Sequence, residues 1–407
     1  MGAGKATHPG FVRLGGKPAA EIFAGLSTPA YVIEEEQLRR NGEILASVMA
    51  NTGCKILLAQ KAVSNFQFYP ILAEYLSGTE ASGLYEARLG AEEMPGKEVH
   101  VFCGAYQADA FCELLEYADH IVFNSPNQLK KLGLQAKEKG KHIGLRINPE
   151  CSTQEGHEIY DPCAPGSRLG TTRSVWDREM TEEWVDLLDG LHFHTLCEQN
   201  ADALAQTLTA VEAKFGDVLP KMQWLNMGGG HHITRPDYDI ALLERCIGSV
   251  QKKWNLQVYL EPGEAVALNA GYLVSRVLDI VENNGIRIAI LDASAACHMP
   301  DVIEMPYTPP LYQGAEPDVY PYVYRLGGPT CLSGDVIGTY SFPAELHIGD
   351  MLVFGDMAIY TTCKNNTFNG MPLPDLYRRG SSGQLDSLTD FGYLDFKMRL
   401  GGKGIGR

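Results

Sequence analysis

The sequence predicts an α/β protein: an eight-stranded β/α barrel joined to a second, all-β domain. Two observations lead there. Between about residues 28 and 263, short apolar runs alternate with longer amphipathic stretches, and the links between them are short. After about Gly263 that rhythm stops, and period-2 alternation broken by Gly and Pro clusters takes over. Alternating strand and helix implies parallel strands, and eight such units can close into a barrel. The expected strands are 55–60, 78–82, 99–103, 120–124, 143–148, 191–195, 224–227 and 258–261. Helical patterns fall at 34–50, 67–76, 107–118, 127–139, 178–188, 201–215 and 237–254. The Pro/Gly/Cys-rich stretch 149–172 lacks periodicity and reads as a loop over one barrel mouth. In the second domain, 271–298 and 319–363 carry the alternation, as in 320–324 and 351–354. The expected division is a barrel at 28–265 and a β domain made of 1–27 with 266–407, ending in a frayed glycine-rich tail at 401–407.

Composition narrows the function classes. The 407 residues carry a formal charge of −16. That balance argues against nucleic acid as a partner, because neutralising phosphates requires clustered Lys and Arg. No uncharged apolar run approaches the roughly 18 residues of a membrane helix, and residues 1–16 contain no apolar signal-peptide core. A soluble cytoplasmic protein is expected. The ten cysteines are scattered without C-x-x-C spacing, so they read as reduced thiols rather than disulfides or a zinc site.

In a barrel of this kind, reactive groups gather at the C-terminal strand ends. Lys61 closes the run I-L-L-A-Q-K. It is either a desolvated Schiff-base lysine or one that snorkels from the mouth. Gly228–Gly230 in L-N-M-G-G-G expose backbone N–H groups that could cradle a phosphate, or they make a plain tight turn. Glu261 in V-Y-L-E-P-G could hold a heterocyclic N–H, or it could be a surface acid. His192 and His194 share a strand face, which is also a metal pattern, but no further ligands lie at ligand spacing. No metal is expected, and His194 suits stacking on a flat ring.

Lysine, histidine, glycine triplet and glutamate at strand ends, in that order, are more specific together than singly. The constellation resembles the pyridoxal-phosphate-dependent decarboxylases of the alanine racemase-like fold, the ornithine, diaminopimelate and arginine decarboxylases and their relatives, over roughly residues 28–370. The resemblance implies that Lys61 carries pyridoxal 5'-phosphate and that Glu80, in E-A-S, and His194 contact it, with Glu86 following at the family spacing. It further implies that Gly228, Gly229 and Gly230 bind its phosphate and that Glu261 faces its pyridine nitrogen. The segment G-G-P-T-C-L-S-G-D resembles the family's cysteine motif. Cys331 would then be the proton donor, contributed across a homodimer interface, with Asp335 near the substrate. Y-T-T-C-K-N-N-T-F-N-G resembles the segment whose tyrosine, here Tyr360, binds the phosphate.

Three departures stand out. Glu264 replaces an arginine after E-P-G, Leu332 replaces an acid after the motif cysteine, and Cys197 replaces a serine. The first two, with H-M-P-D-V-I-E-M-P at 298–306, are similar to the carboxynorspermidine (carboxyspermidine) decarboxylases. That similarity implies a small-molecule carboxylated polyamine substrate contacted by Glu264 and Asp301. Alternatives are another basic amino-acid decarboxylase of the same fold, a racemase, a non-catalytic pyridoxal-phosphate carrier and a cofactor-free aldolase barrel. The cysteine motif counts against the racemase and the carrier.

Overall fold

The computed structural model describes residues 19–154 and 161–401. The expectations for residues 1–18, for 155–160 of the loop and for the tail from 402 lie outside the described residues. The chain divides into two compact units, Arg39–Val266 and the remainder.

The first unit is a closed barrel of eight parallel strands: β2 (Lys55–Ala59), β3 (Gly78–Ala81), β4 (Glu98–Phe102), β5 (His120–Phe123), β6 (His142–Arg146), β7 (Gly190–His192), β8 (Trp224–Asn226) and β9 (Gln257–Leu260). All eight predicted strands are present, each within two or three residues of its expected ends. They are nearly continuously buried, as strands covered on both faces must be. Helix ends follow from local chemistry. Ser125 accepts the Gln128 N–H ahead of Pro126–Glu138, with Pro126 in the first turn. Asp239 accepts the Leu242 N–H ahead of Ile240–Trp254, and Asn255 ends that helix in the left-handed region.

Leu57, Val122, Trp224 and Tyr259 pack together as an apolar cluster of the barrel strands. Room for the indole comes from Gly144 and Gly190 on adjacent strands. A Cβ there would sit 2.2 and 2.0 Å from Trp224, so these glycines are a packing requirement.

Helices were harder to read than strands. Leu84–Glu93 was not expected. Its buried face is made by Ala87 and Gly90, and a Cβ at Gly90 would lie 2.3 Å from Thr79 Oγ1. A helix packed that close shows almost no apolar stripe. The pattern at 67–76 resolves into a 3₁₀ turn, Phe66–Phe68, and one helical turn, Tyr69–Leu72. That at 178–188 becomes two short helices, Arg173–Glu179 and Glu182–Asp186.

The second unit is an eight-stranded sheet built on β1 (Ala30–Glu34), β10 (Gly271–Asn283), β11 (Ile286–Leu291), β12 (Tyr322–Gly327), β13 (Val336–Phe342), β14 (Met351–Gly355), β15 (Asp375–Arg379) and β16 (Leu385–Ser387). The long β10 organises it. Its first half lies between β1 and β14, and its second half pairs with β11. Phe23, Leu26, Val32, Tyr272, Val274, Met351 and Val353 form its core. One helix, Tyr393–Gly401, was not anticipated after the sheet.

Candidate active site

Strand ends bring most of the predicted barrel residues together. Lys61 follows β2, and its charge acts on Glu80 at β3, on Glu86, and on His194 just past β7. Glu80 and Glu261 are each 4% exposed, and they behave differently. Burial, reinforced by the charge of Glu261 and opposed by Lys61, pushes the Glu80 carboxyl well above the usual range. Burial acts in the same sense on Glu261, but His192 above all, then His100 and the Asn226 amide, outweigh it and hold that carboxyl below its usual range. His192 Nε2 lies 3.1 Å from Oε2, and the Asn226 amide donates to Oε1 at 2.6 Å. One buried acid is therefore biased to the neutral form and the other to the carboxylate, the kind of split that assigns two acids to two roles.

His194 is partly exposed. Burial first, then Lys61 and Arg146, hold its imidazole well below the ordinary value, so it is neutral. The Gly229 N–H donates to its Nδ1 at 3.2 Å, which leaves the proton on Nε2. None of the three glycines tolerates a side chain. A Cβ on Gly228 would lie 2.3 Å from the Phe193 carbonyl, on Gly229 2.4 Å from that of Glu261, and on Gly230 2.0 Å from that of Leu196. Gly228 and Gly230 also have φ of 69° and 79°, where glycine alone is unstrained.

Glu264 opens the turn Glu264–Ala267 and meets His232, with Nε2 3.2 Å from Oε1. Glu198 lies close by, its backbone in the left-handed region. A second grouping joins the partly exposed Glu98 to the buried His100 and His120 on β4 and β5, with Lys55 bonded to Glu98. Neither juxtaposition was read from sequence, because both arise from strand register and loop packing.

Sequence reasoning missed Arg146 and Asn226 here, and it read His192 only as half of a metal-like histidine pair. Arg146, His192 and Asn226 are direct neighbours across β6, β7 and β8. Arg146 is 5% exposed, stacks over Phe102 at 4.5 Å and donates to the His194 carbonyl. Burial lowers its guanidinium to about 10, with Glu261 and Glu80 opposing, so it stays charged. A polar residue ending an apolar strand was the available signal, as it was for Lys61.

In the sheet unit, Cys331 is exposed and sits on the turn between β12 and β13. Asp335 closes that turn. Its carboxylate accepts from Ser294 Oγ at 3.0 and 2.9 Å, Thr330 Oγ1 at 2.7 Å and the Ala296 N–H at 3.2 Å. The Cys331 N–H donates to Asn369 Oδ1 at 3.1 Å. Asp301, on the short helix Asp301–Glu304, pairs with Lys364, as does Glu304. Tyr360 is partly exposed with φ of 49°, a strained backbone of the kind found at binding sites.

A family model described as "Pyridoxal-dependent decarboxylase, C-terminal sheet domain" matches residues 30–358. The chain belongs to this family. It is 43% identical to the carboxynorspermidine/carboxyspermidine decarboxylase of Campylobacter jejuni, over 93% of this chain and 100% of that one. It is 39% identical to the carboxyaminopropylagmatine decarboxylase of Synechocystis, over 93% and 97%. The crystal structure of the Campylobacter jejuni carboxynorspermidine decarboxylase complexed with norspermidine superposes with a TM-score of 0.84 at 41% identity, over 92% of this chain and 100% of that one. The chain is thus a pyridoxal-dependent carboxy-lyase with an alanine racemase-like fold.

The barrel residues fit that cofactor. A strand-end amine, a buried carboxylate able to accept a ring N–H, a partly exposed neutral imidazole and a close-packed glycine turn are groups that suit pyridoxal phosphate. Among the described residues no helix is long and apolar enough to cross a membrane.

Proposed function

We propose that this protein decarboxylates carboxynorspermidine and carboxyspermidine, yielding norspermidine and spermidine, in the cytoplasm. The observation that carries this reading is the match, over nearly the whole of each chain, to a relative of that name and to a solved carboxynorspermidine decarboxylase complexed with norspermidine. Bound pyridoxal phosphate would supply the electron sink for the pair left behind as carbon dioxide departs. Lys61 would hold the cofactor covalently, and Glu261 would accept the ring N–H. His194 would stack on the ring, Glu80 would contact it, and Gly228, Gly229, Gly230 and Tyr360 would bind the phosphate. The Cys331 thiol would deliver a proton to the α-carbon, and this reading places it in the site of a homodimer partner. Glu264 and Asp301 would face the distal ammonium groups. Their present partners are His232 and Lys364, whose places a polyamine's ammonium groups could take.

Decarboxylation rates measured side by side test the proposal. Carboxynorspermidine and carboxyspermidine should be the best substrates. They differ by one methylene, worth about 1–3 kcal/mol, so the two should lie within roughly 10- to 200-fold of each other. Higher kcat/KM on carboxyaminopropylagmatine, diaminopimelate, ornithine or arginine would overturn it.

A further inference from the structure

We propose that His192 is a positioning residue for Glu261: with the Asn226 amide, it holds Glu261 as the carboxylate that meets the ring nitrogen of pyridoxal phosphate. This rests on the cofactor reading above and adds to it the groups that keep the essential acid charged.

The geometry is explicit. His192 and Asn226 are register partners on β7 and β8, and both side chains reach Glu261, which follows β9. Each takes a different oxygen. Asn226 cannot be flipped without loss, because its Oδ1 accepts the Gly228 N–H at 2.9 Å while Nδ2 donates to Glu261. His192 is 1% exposed, and its ring stacks on Phe102 at 5.5 Å with 12° between the planes. Arg146 covers Phe102 as well. The imidazole is therefore clamped in one orientation, with Nε2 aimed at Glu261.

A histidine that merely filled space would be a poor choice here. Among the described residues its buried Nδ1 has no hydrogen-bond partner, a cost that a phenylalanine in the same stack would avoid. The one hydrogen bond of its ring among the described residues runs to Glu261. Burial keeps the ring from protonating, with Glu261 opposing. A neutral ring with Nε2 facing a carboxylate must carry its proton on that nitrogen.

The other charged or titratable groups acting on Glu261 are Arg146, Glu80, His100 and His231. Glu80 works against the carboxylate of Glu261 and is itself pushed toward the acid form. With His192 and Asn226 gone, two buried carboxyls would face each other with nothing bonded to Glu261, and a proton would settle between them. The ring nitrogen would then lose its anionic partner.

Ring-¹⁵N-labelled pyridoxal phosphate bound to the full-length enzyme reads this directly, since the ¹⁵N shift reports whether the nitrogen is protonated. In His192→Phe, which keeps the stack on Phe102, the signal should move to the unprotonated position. The kcat should fall roughly 10- to 100-fold, the worth of one hydrogen bond to a charged group, while KM stays within about twofold. His192→Gln, which restores a donor, should recover much of the shift and the rate. His192→Leu carries the same expectation as Phe should that variant not accumulate. Glu261→Gln is the reference. If the signal moves in Glu261→Gln but not in His192→Phe, His192 is a packing residue and the proposal is wrong. If it moves in neither, the assignment of Glu261 to the ring nitrogen fails, and this inference fails with it.

Discussion

Removing the carboxylate of Asp335 should loosen the turn that carries Cys331 without touching the substrate. Three protein donors converge on it: the hydroxyls of Ser294 and Thr330 and the N–H of Ala296. Asp335 is 4% exposed and Ser294 is wholly buried, so in Asp335→Ala the Ser294 hydroxyl loses its acceptor with no water to replace it. Thr330 lies nearer the surface and can turn to solvent. Hydrogen bonds to a charged group contribute roughly 1.5–3 kcal/mol each. Two unrecovered bonds therefore cost about 3–6 kcal/mol, or roughly 6–24 °C in Tm for a unit of this size. Asp335→Asn keeps one acceptor oxygen and should lose about half as much. Thermal unfolding combined with steady-state kinetics separates the possibilities. The expected result is a lower Tm, a lower kcat and an unchanged KM, with cofactor occupancy preserved. An unchanged Tm with a raised KM would show instead that Asp335 contacts substrate, and the reasoning from its partners would be wrong.

Three further outcomes follow from the geometry. Gly229→Ala places a methyl 2.4 Å from the Glu261 carbonyl oxygen and 3.1 Å from His194 Cε1. It should cost about 1–3 kcal/mol of stability and weaken cofactor binding by at least about tenfold in an absorbance titration; wild-type affinity would mean the glycine run is only a turn. Burial alone would lower His232, but Glu264 outweighs it and raises its imidazole above the ordinary value. The stability from that pair is fully present below about pH 6.5 and is lost as pH rises through the higher folded value. The Tm gap between wild type and Glu264→Gln should therefore be larger at pH 6 than at pH 9, and a constant gap would contradict the pairing. Finally, mixed Lys61→Ala and Cys331→Ala chains should regain partial activity if the sites of a homodimer are shared, whereas a dead mixture with proven subunit exchange would rule sharing out.

How far the sequence carried depends on what each feature is made of. All eight barrel strands were legible because each is a short apolar run between turn residues, and strand ends pointed to Lys61, Glu80, His194 and Glu261. The helix Leu84–Glu93 was not, because its buried face is Ala87 and Gly90, chosen for closeness to β3 rather than for apolar bulk. Arg146, His192 and Asn226 form a row across three strands, and cross-strand register has no signature in a single sequence. His192 was visible as one of two histidines on a strand face, but the pattern suggested metal or stacking, and only the position of Glu261 reveals its hydrogen bond. The partners of Asp335 and Asp301 were hidden for the same reason: Ser294 and Lys364 lie 41 and 63 residues away in sequence. A resemblance can suggest that an acid lies near a substrate, yet it cannot say which protein groups already hold it.

The measurement that bears most directly on this account is borohydride reduction of the enzyme with its cofactor, followed by peptide mapping of the lysines. The barrel site was built around one amine, Lys61, two residues beyond β2 and within the field of Glu80, Glu86 and His194. A single pyridoxyl label is expected, on the peptide containing Lys61, and none in Lys61→Ala. A label on any other lysine, or reduction without labelling, would contradict it.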